Sequence, residues 1–229
     1  MRTAVLTIAA AALILLIGRS GWAVPEPSIT PVSWQLDFRF EDPQRIVIKL
    51  PGEKTARTYW YVLYEVINRS GQDVQFHPDF TLVTSTMQVS RADLGVDKEV
   101  YEAIKARHAQ QYPFMTDPIS AMGRLLQGED NARTSVAIWK QFDLEANALT
   151  IYVGGLSGET QRIKNPNYDP SKPETITKTL PNGTKIEVSV NPQQFILEKT
   201  LAIPYTLPGD PQTRQTVSPE RGYRRWIMR

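Results

Sequence analysis

The sequence predicts a mainly β protein, a β-sandwich carrying a two-helix insertion. Three observations point there. Apolar and polar residues alternate at a two-residue period in several short runs, as at Trp34, Leu36, Phe38 and Phe40. Turn signals such as Pro51-Gly52, Asn68-Arg69-Ser70-Gly71 and Pro181-Asn182-Gly183 separate such runs. From about residue 97 to 127 the apolar spacing becomes helical. Strands before and after a central helical stretch suit two packed sheets; the alternative is an α+β domain with its helices packed across one sheet.

The opening segment reads as an export signal. Met1-Arg2 gives a positive start, Ala4 to Ile17 is apolar except for Thr7, and Gly21 and Ala23 supply the small residues of a cleavage site. Cleavage is predicted after Ala23, delivering the mature chain to the periplasm or beyond; an uncleaved tract would act instead as an N-terminal tether. The run is short for a bilayer core of about 30 Å, which needs about 20 apolar residues. No comparable stretch follows, so no transmembrane span is predicted in the mature chain. The chain has 26 basic and 24 acidic side chains, and Arg2 and Arg19 leave with the signal. That balance gives no field for a nucleic-acid partner. The absence of cysteine excludes disulfides, thiolate metal sites and a cysteine nucleophile.

The proline-rich segment 24–31 is expected to be an extended lead-in, and residues 32–229 a single domain. Strands are expected at 34–40 and 45–50. Thr58 to Asn68 is apolar on both faces, the mark of a strand covered on both sides. The β pattern runs on through Val74, Phe76, Phe80, Leu82 and Val83. Asp97 is placed to cap a first helix with Val100, Ala103 and Ile104 inward. A second helix is expected from Asp117 and Pro118, with Ile119, Met122, Leu125 and Leu126 on one face and Gly128 at its end. Strands then return at 136–139, 149–153, 176–180, 185–190, 195–205 and 223–228.

The run YWYVLYEVINRSGQDVQFHPDFTLV, with LLQGEDNARTSVAIW and LTIYVGGLSG after it, resembles an immunoglobulin-like β-sandwich family of exported bacterial envelope proteins. The elements that carry the resemblance are Asn68 at a strand end, Phe80-Thr81-Leu82, and a Gly128-Glu129 turn leading into a strand of the opposite sheet. It implies an immunoglobulin-like fold and an accessory role outside the cytoplasm, and brings no catalytic residues.

Catalytic signals are weak. His77 and His108 belong to no ligand-spaced cluster and read as a loop residue and a helix-terminal cation. Gly154-Gly155-Leu156-Ser157-Gly158 lacks the last glycine of a nucleophile elbow, because Glu159 stands there, and no histidine follows. A His77 and Ser157 pair would keep the chymotrypsin order, without further support. Asp93, Asp97 and Glu99, like Glu129 and Asp130, lack the calcium-loop pattern. No catalytic residue, metal ligand or cofactor is therefore predicted.

Two surfaces are binding candidates. Arg221, Tyr223, Arg224, Arg225 and Trp226 would suit an anionic glycan, a lipid headgroup or a protein, or simply form a charge-protected edge strand. Tyr59, Trp60, Tyr61 and Tyr64 would stack sugar rings if one row were exposed, and are otherwise sandwich core. The expected function is a non-catalytic, exported envelope protein that binds or scaffolds an envelope protein or glycan. A carbohydrate-binding module and a hydrolase are the alternatives. The stretch 97–127 is the first choice for the partner-facing element, dispensable for folding.

Overall fold

The computed structural model describes residues 25–229; the expected signal, Met1–Ala23, lies outside them. The first strands are β1 (Asp37–Phe40), β2 (Gln44–Ile48), β3 (Arg57–Asn68), β4 (Val74–Phe76), β5 (Asp79–Thr84) and β6 (Val89–Arg91). Helix α1 (Lys98–Arg107) follows, then β7 (Gly123–Leu125), β8 (Gly128–Lys140), β9 (Ala148–Gly154) and β10 (Thr160–Lys164). The chain closes with β11 (Thr175–Thr179), β12 (Lys185–Ser189), β13 (Gln194–Thr206), a 3-10 turn at Thr213–Gln215, β14 (Glu220–Arg221) and β15 (Arg225–Met228).

Two antiparallel sheets face each other. In sheet one β3 is central: β8 pairs along one edge, while β1 and β2 share the other end to end. Sheet two runs β13-β9-β5-β6, with β10, β14 and β15 all paired to the long β13. Between the sheets lie Trp60, Val62, Tyr64 and Val66 of β3 and Ala137 and Trp139 of β8. Facing them are Phe80 and Leu82 of β5, Leu149, Ile151 and Val153 of β9, and Leu201, Ile203 and Tyr205 of β13.

The alternate residues of β3 are equally buried. Tyr59, Tyr61 and Leu63, with Val136 and Ile138 of β8, form a second core beneath Val100, Tyr101 and Ile104 of α1 and Met115. Sheet one is thus covered on both sides, as its continuous apolar run requires. The fold combines a β-sandwich with a helix laid across the outer face of one sheet.

The two-helix insertion is not what forms, since α1 is the one α-helix among the described residues. At the second site Asp117 does cap a turn: its Oδ1 accepts the Ile119 and Ser120 N–H groups at 3.1 and 3.0 Å. The turn stops after Ala121, because Gly123 takes φ +100° and starts β7, which pairs with β4. Leu125 is buried from that strand, whereas Ile119 is 80 % exposed. The helical spacing of Ile119, Met122, Leu125 and Leu126 was matched by a turn and a strand. Against the expectation that 97–127 is dispensable for folding, α1 and Met115 roof the second core.

Candidate functional site

Beside α1 the chain leaves an open groove, built where two loops are stitched to the outer edge of β8. The first stitch is Asp93. It sits at φ +62°, a left-handed conformation that aspartate tolerates better than most residues. Its main-chain N–H donates to the Ile138 carbonyl at 2.7 Å and its Oδ1 accepts the Ile138 N–H at 3.1 Å. A side chain here replaces a neighbouring strand.

The second stitch is Thr116, whose N–H and hydroxyl both donate to the Thr134 carbonyl at 3.0 Å. Its own carbonyl accepts the Ser135 hydroxyl at 2.8 Å. Tyr101 of α1 fixes the preceding residue by donating its hydroxyl to the Met115 carbonyl at 2.9 Å.

Between the stitches lies a cavity of about 640 Å³ lined by Val96, Tyr101, Met115, Ile119 and Ile138. A smaller one of about 290 Å³ is lined by Tyr64, Phe80, Leu94 and Met122. Asp93 and Pro118 border both. At the two cavities Leu94 is 75 % and Ile119 80 % exposed. Such large exposed apolar side chains at neighbouring cavities are the usual mark of a contact surface.

The groove has a net negative lining. Of its charged residues, Lys98 lies 3.9 Å from Glu102, Lys105 sits over the Tyr101 ring at 5.7 Å, and Arg91 pairs with Asp79 at 3.2 Å. Hydrogen bonds from Ser120 hold the Asp117 carboxyl below its ordinary range. Asp97 stands at the N-cap of α1 but makes no side-chain cap bond. Asp93 is in none of the ion pairs among the described residues. Burial raises its carboxyl to about 7, against the opposing pull of the Ile138 N–H.

The residues singled out from sequence fall elsewhere. Tyr59, Trp60, Tyr61 and Tyr64 are all buried, the first and third in the second core and the others between the sheets. β3 therefore offers no exposed ring for stacking a sugar. Arg221 lies over the Phe40 ring at 5.3 Å with Nε 3.4 Å from Asp42. Tyr223 is 87 % exposed, Arg224 and Arg225 are exposed, and Trp226 packs part-buried against the sandwich core. β15 pairs only with β13 in the described sheet.

His77 is exposed after β4, while His108 ends α1 and lies 2.9 Å from the Tyr61 hydroxyl. Burial lowers the His108 pKa. Ser157 donates to the Trp34 carbonyl at 3.2 Å. At Gly155 a Cβ would meet the His77 carbonyl at 2.3 Å, so this glycine serves a close main-chain approach. No group of three or more His, Asp or Glu suited to a metal ion occurs among the described residues.

Sequence reasoning weighed Asp93 only as a calcium ligand and missed the groove. The readable signal was a lone aspartate before Leu94-Gly95, between a strand and a helix. What defines the molecule is thus a two-sheet β-sandwich with one helix over its outer face and a groove beside that helix. Comparison with protein-family models, curated proteins and solved structures finds no match.

Proposed function

We propose that the protein is an exported, non-catalytic envelope component that binds a polypeptide partner in the groove beside α1. The observation that carries this reading is the pair of neighbouring cavities that share Asp93 and Pro118 and are rimmed by exposed Leu94 and Ile119. Small-molecule sites usually enclose most of their ligand. Here the apolar side chains stand outward around an open groove, which suits the surface of a second polypeptide. Export rests on the opening hydrophobic tract, and membership of the immunoglobulin-like family on Asn68, Phe80-Thr81-Leu82 and Gly128-Glu129. Asn68 is buried and its Nδ2 donates to the Gln72 and Leu125 carbonyls at 2.8 and 2.9 Å, an anchoring role that fits that resemblance.

A second contact region is the strip Arg221, Tyr223, Arg224, Arg225 and Trp226, favoured by the exposure of Tyr223. The test places a photo-crosslinking amino acid at position 119, at 223, or at 178 on the β11-β12 hairpin, in the native cell. A discrete adduct from 119 supports the groove, and one from 223 alone moves the contact to the strip. No adduct beyond that of position 178 overturns the binding reading. N-terminal sequencing of the same product tests export: a start at Val24 is expected, and an intact Met1 on an intracellular product refutes it.

A further inference from the structure

A different cavity, of about 560 Å³, opens between β2, the end of α1 and the segment 216–219. Its charged lining residues are Arg45 and Arg107, joined by the hydroxyl-bearing Thr58, Thr216 and Ser218, and no carboxylate lines it. The arginines are held by neutral groups. Arg45 donates to the Arg214 and Val217 carbonyls, both at 3.1 Å, and lies over the Trp60 ring at 4.9 Å. Arg107 donates to the Arg45 carbonyl at 2.8 Å. Neither forms an ion pair among the described residues. The nearby Glu41 is engaged by the Gln44 and Gln111 side-chain amides and the Tyr112 hydroxyl.

The part-buried Arg45 guanidinium has no counter-charge, which is costly, and beyond its two bonds to carbonyls it and the exposed Arg107 keep further N–H groups able to donate to phosphate or sulfate oxygens. Burial indeed pulls the Arg45 pKa below the ordinary guanidinium value. We propose that this cavity binds a tetrahedral oxyanion, the phosphate or sulfate group of an ester, between Arg45 and Arg107. The volume leaves room for a small organic group beyond the anion. This site is separate from the groove and does not depend on the partner-binding reading.

The test titrates the full chain with inorganic phosphate and with sulfate by calorimetry, and sediments it with neutral phosphatidylcholine vesicles with and without phosphatidylglycerol. Saturable binding of the free anion, or sedimentation that requires phosphatidylglycerol, is expected. The first result identifies a soluble ester as the natural source, the second a lipid headgroup. Arg107→Gln should weaken either at least about tenfold, as should Ser218→Glu, which sets a carboxylate against the guanidiniums. Without anion the melting temperature should match the parent for Arg107→Gln and be no lower than the parent for Ser218→Glu, and Lys178→Gln on the β11-β12 hairpin, which does not line the cavity, should bind normally. No saturable binding into the millimolar range and no sedimentation would overturn the proposal. So would binding that Arg107→Gln and Ser218→Glu leave intact.

Discussion

The Lys199 ammonium lies 2.9 Å from the Glu159 carboxylate, and both side chains are more than nine-tenths buried. The lead-in closes this pair: the Ser28 N–H donates to Glu159 Oε1 at 2.7 Å, and Lys199 Nζ donates to the Ser28 carbonyl at 3.2 Å. Removing one partner of such a pair leaves an uncompensated buried charge. Lys199→Met is expected to cost about 3–5 kcal/mol, read from urea denaturation, and Glu159→Leu combined with it to recover most of that. A single variant as stable as the parent would show the pair to be solvated.

The same pair sets an acid limit. The Ser28 N–H, first among several causes, depresses the Glu159 pKa below its ordinary 4.5. A depressed carboxyl contributes stability that is complete above the ordinary value and lost as pH falls through the folded one. Glu159→Gln should remove that component, so its melting temperature should fall less steeply than the parent's below about pH 4.

Asp93 has the opposite sign. Its carboxyl is raised from 3.8 to about 7, so in that window the folded chain keeps a proton that the unfolded chain has released. Stability attributable to Asp93 therefore falls as pH rises through the window and levels off above it. Asp93→Asn keeps an acceptor for the Ile138 N–H and cannot ionise. Its melting temperature should exceed the parent's at about pH 8 and vary less between pH 5 and 8; equal pH slopes would contradict the assigned burial.

Deleting residues 97–127 should give an insoluble or molten product, because Tyr59, Tyr61, Leu63, Val136 and Ile138 would lose their roof. Ile104→Ala is the graded version, with an expected loss of about 2–5 kcal/mol. Dye binding and near-ultraviolet dichroism distinguish the outcomes, and a deletion product with a parent-like near-ultraviolet spectrum would make the helix an appendage.

Gly154 and Gly155 should differ sharply. A Cβ at Gly155 would meet the His77 carbonyl at 2.3 Å with φ at +75°, whereas one at Gly154 has nothing nearer than 3.6 Å. Gly155→Ala is expected to cost about 1–3 kcal/mol or more, and Gly154→Ala well under half of that, by thermal unfolding. Equal effects would mean that the turn readily shifts.

The strands were legible where burial imposes a clean period. β3 could be read as doubly covered from its apolar run, and the hairpin at Pro181-Asn182-Gly183 forms with Gly183 at φ +81°. The N-terminal half of β8, Gly128 to Ser135, was missed because its mostly polar residues carry no apolar alternation. The second helix failed because local spacing cannot see that β4 is waiting to pair with Gly123–Leu125. The groove and the arginine cavity were illegible for a simpler reason. Asp93 meets Ile138, and Arg45 meets Val217, only after distant segments are folded together.

Trp226 places its ring 5.4 Å from the Lys199 ammonium, the same group that grips the Ser28 carbonyl. An indole beside a cation reports changes in that cation's surroundings. With the other four tryptophans replaced, the emission of this residue would follow release of the lead-in in real time. The beginning of the described chain and its closing strand thus share one optical gauge.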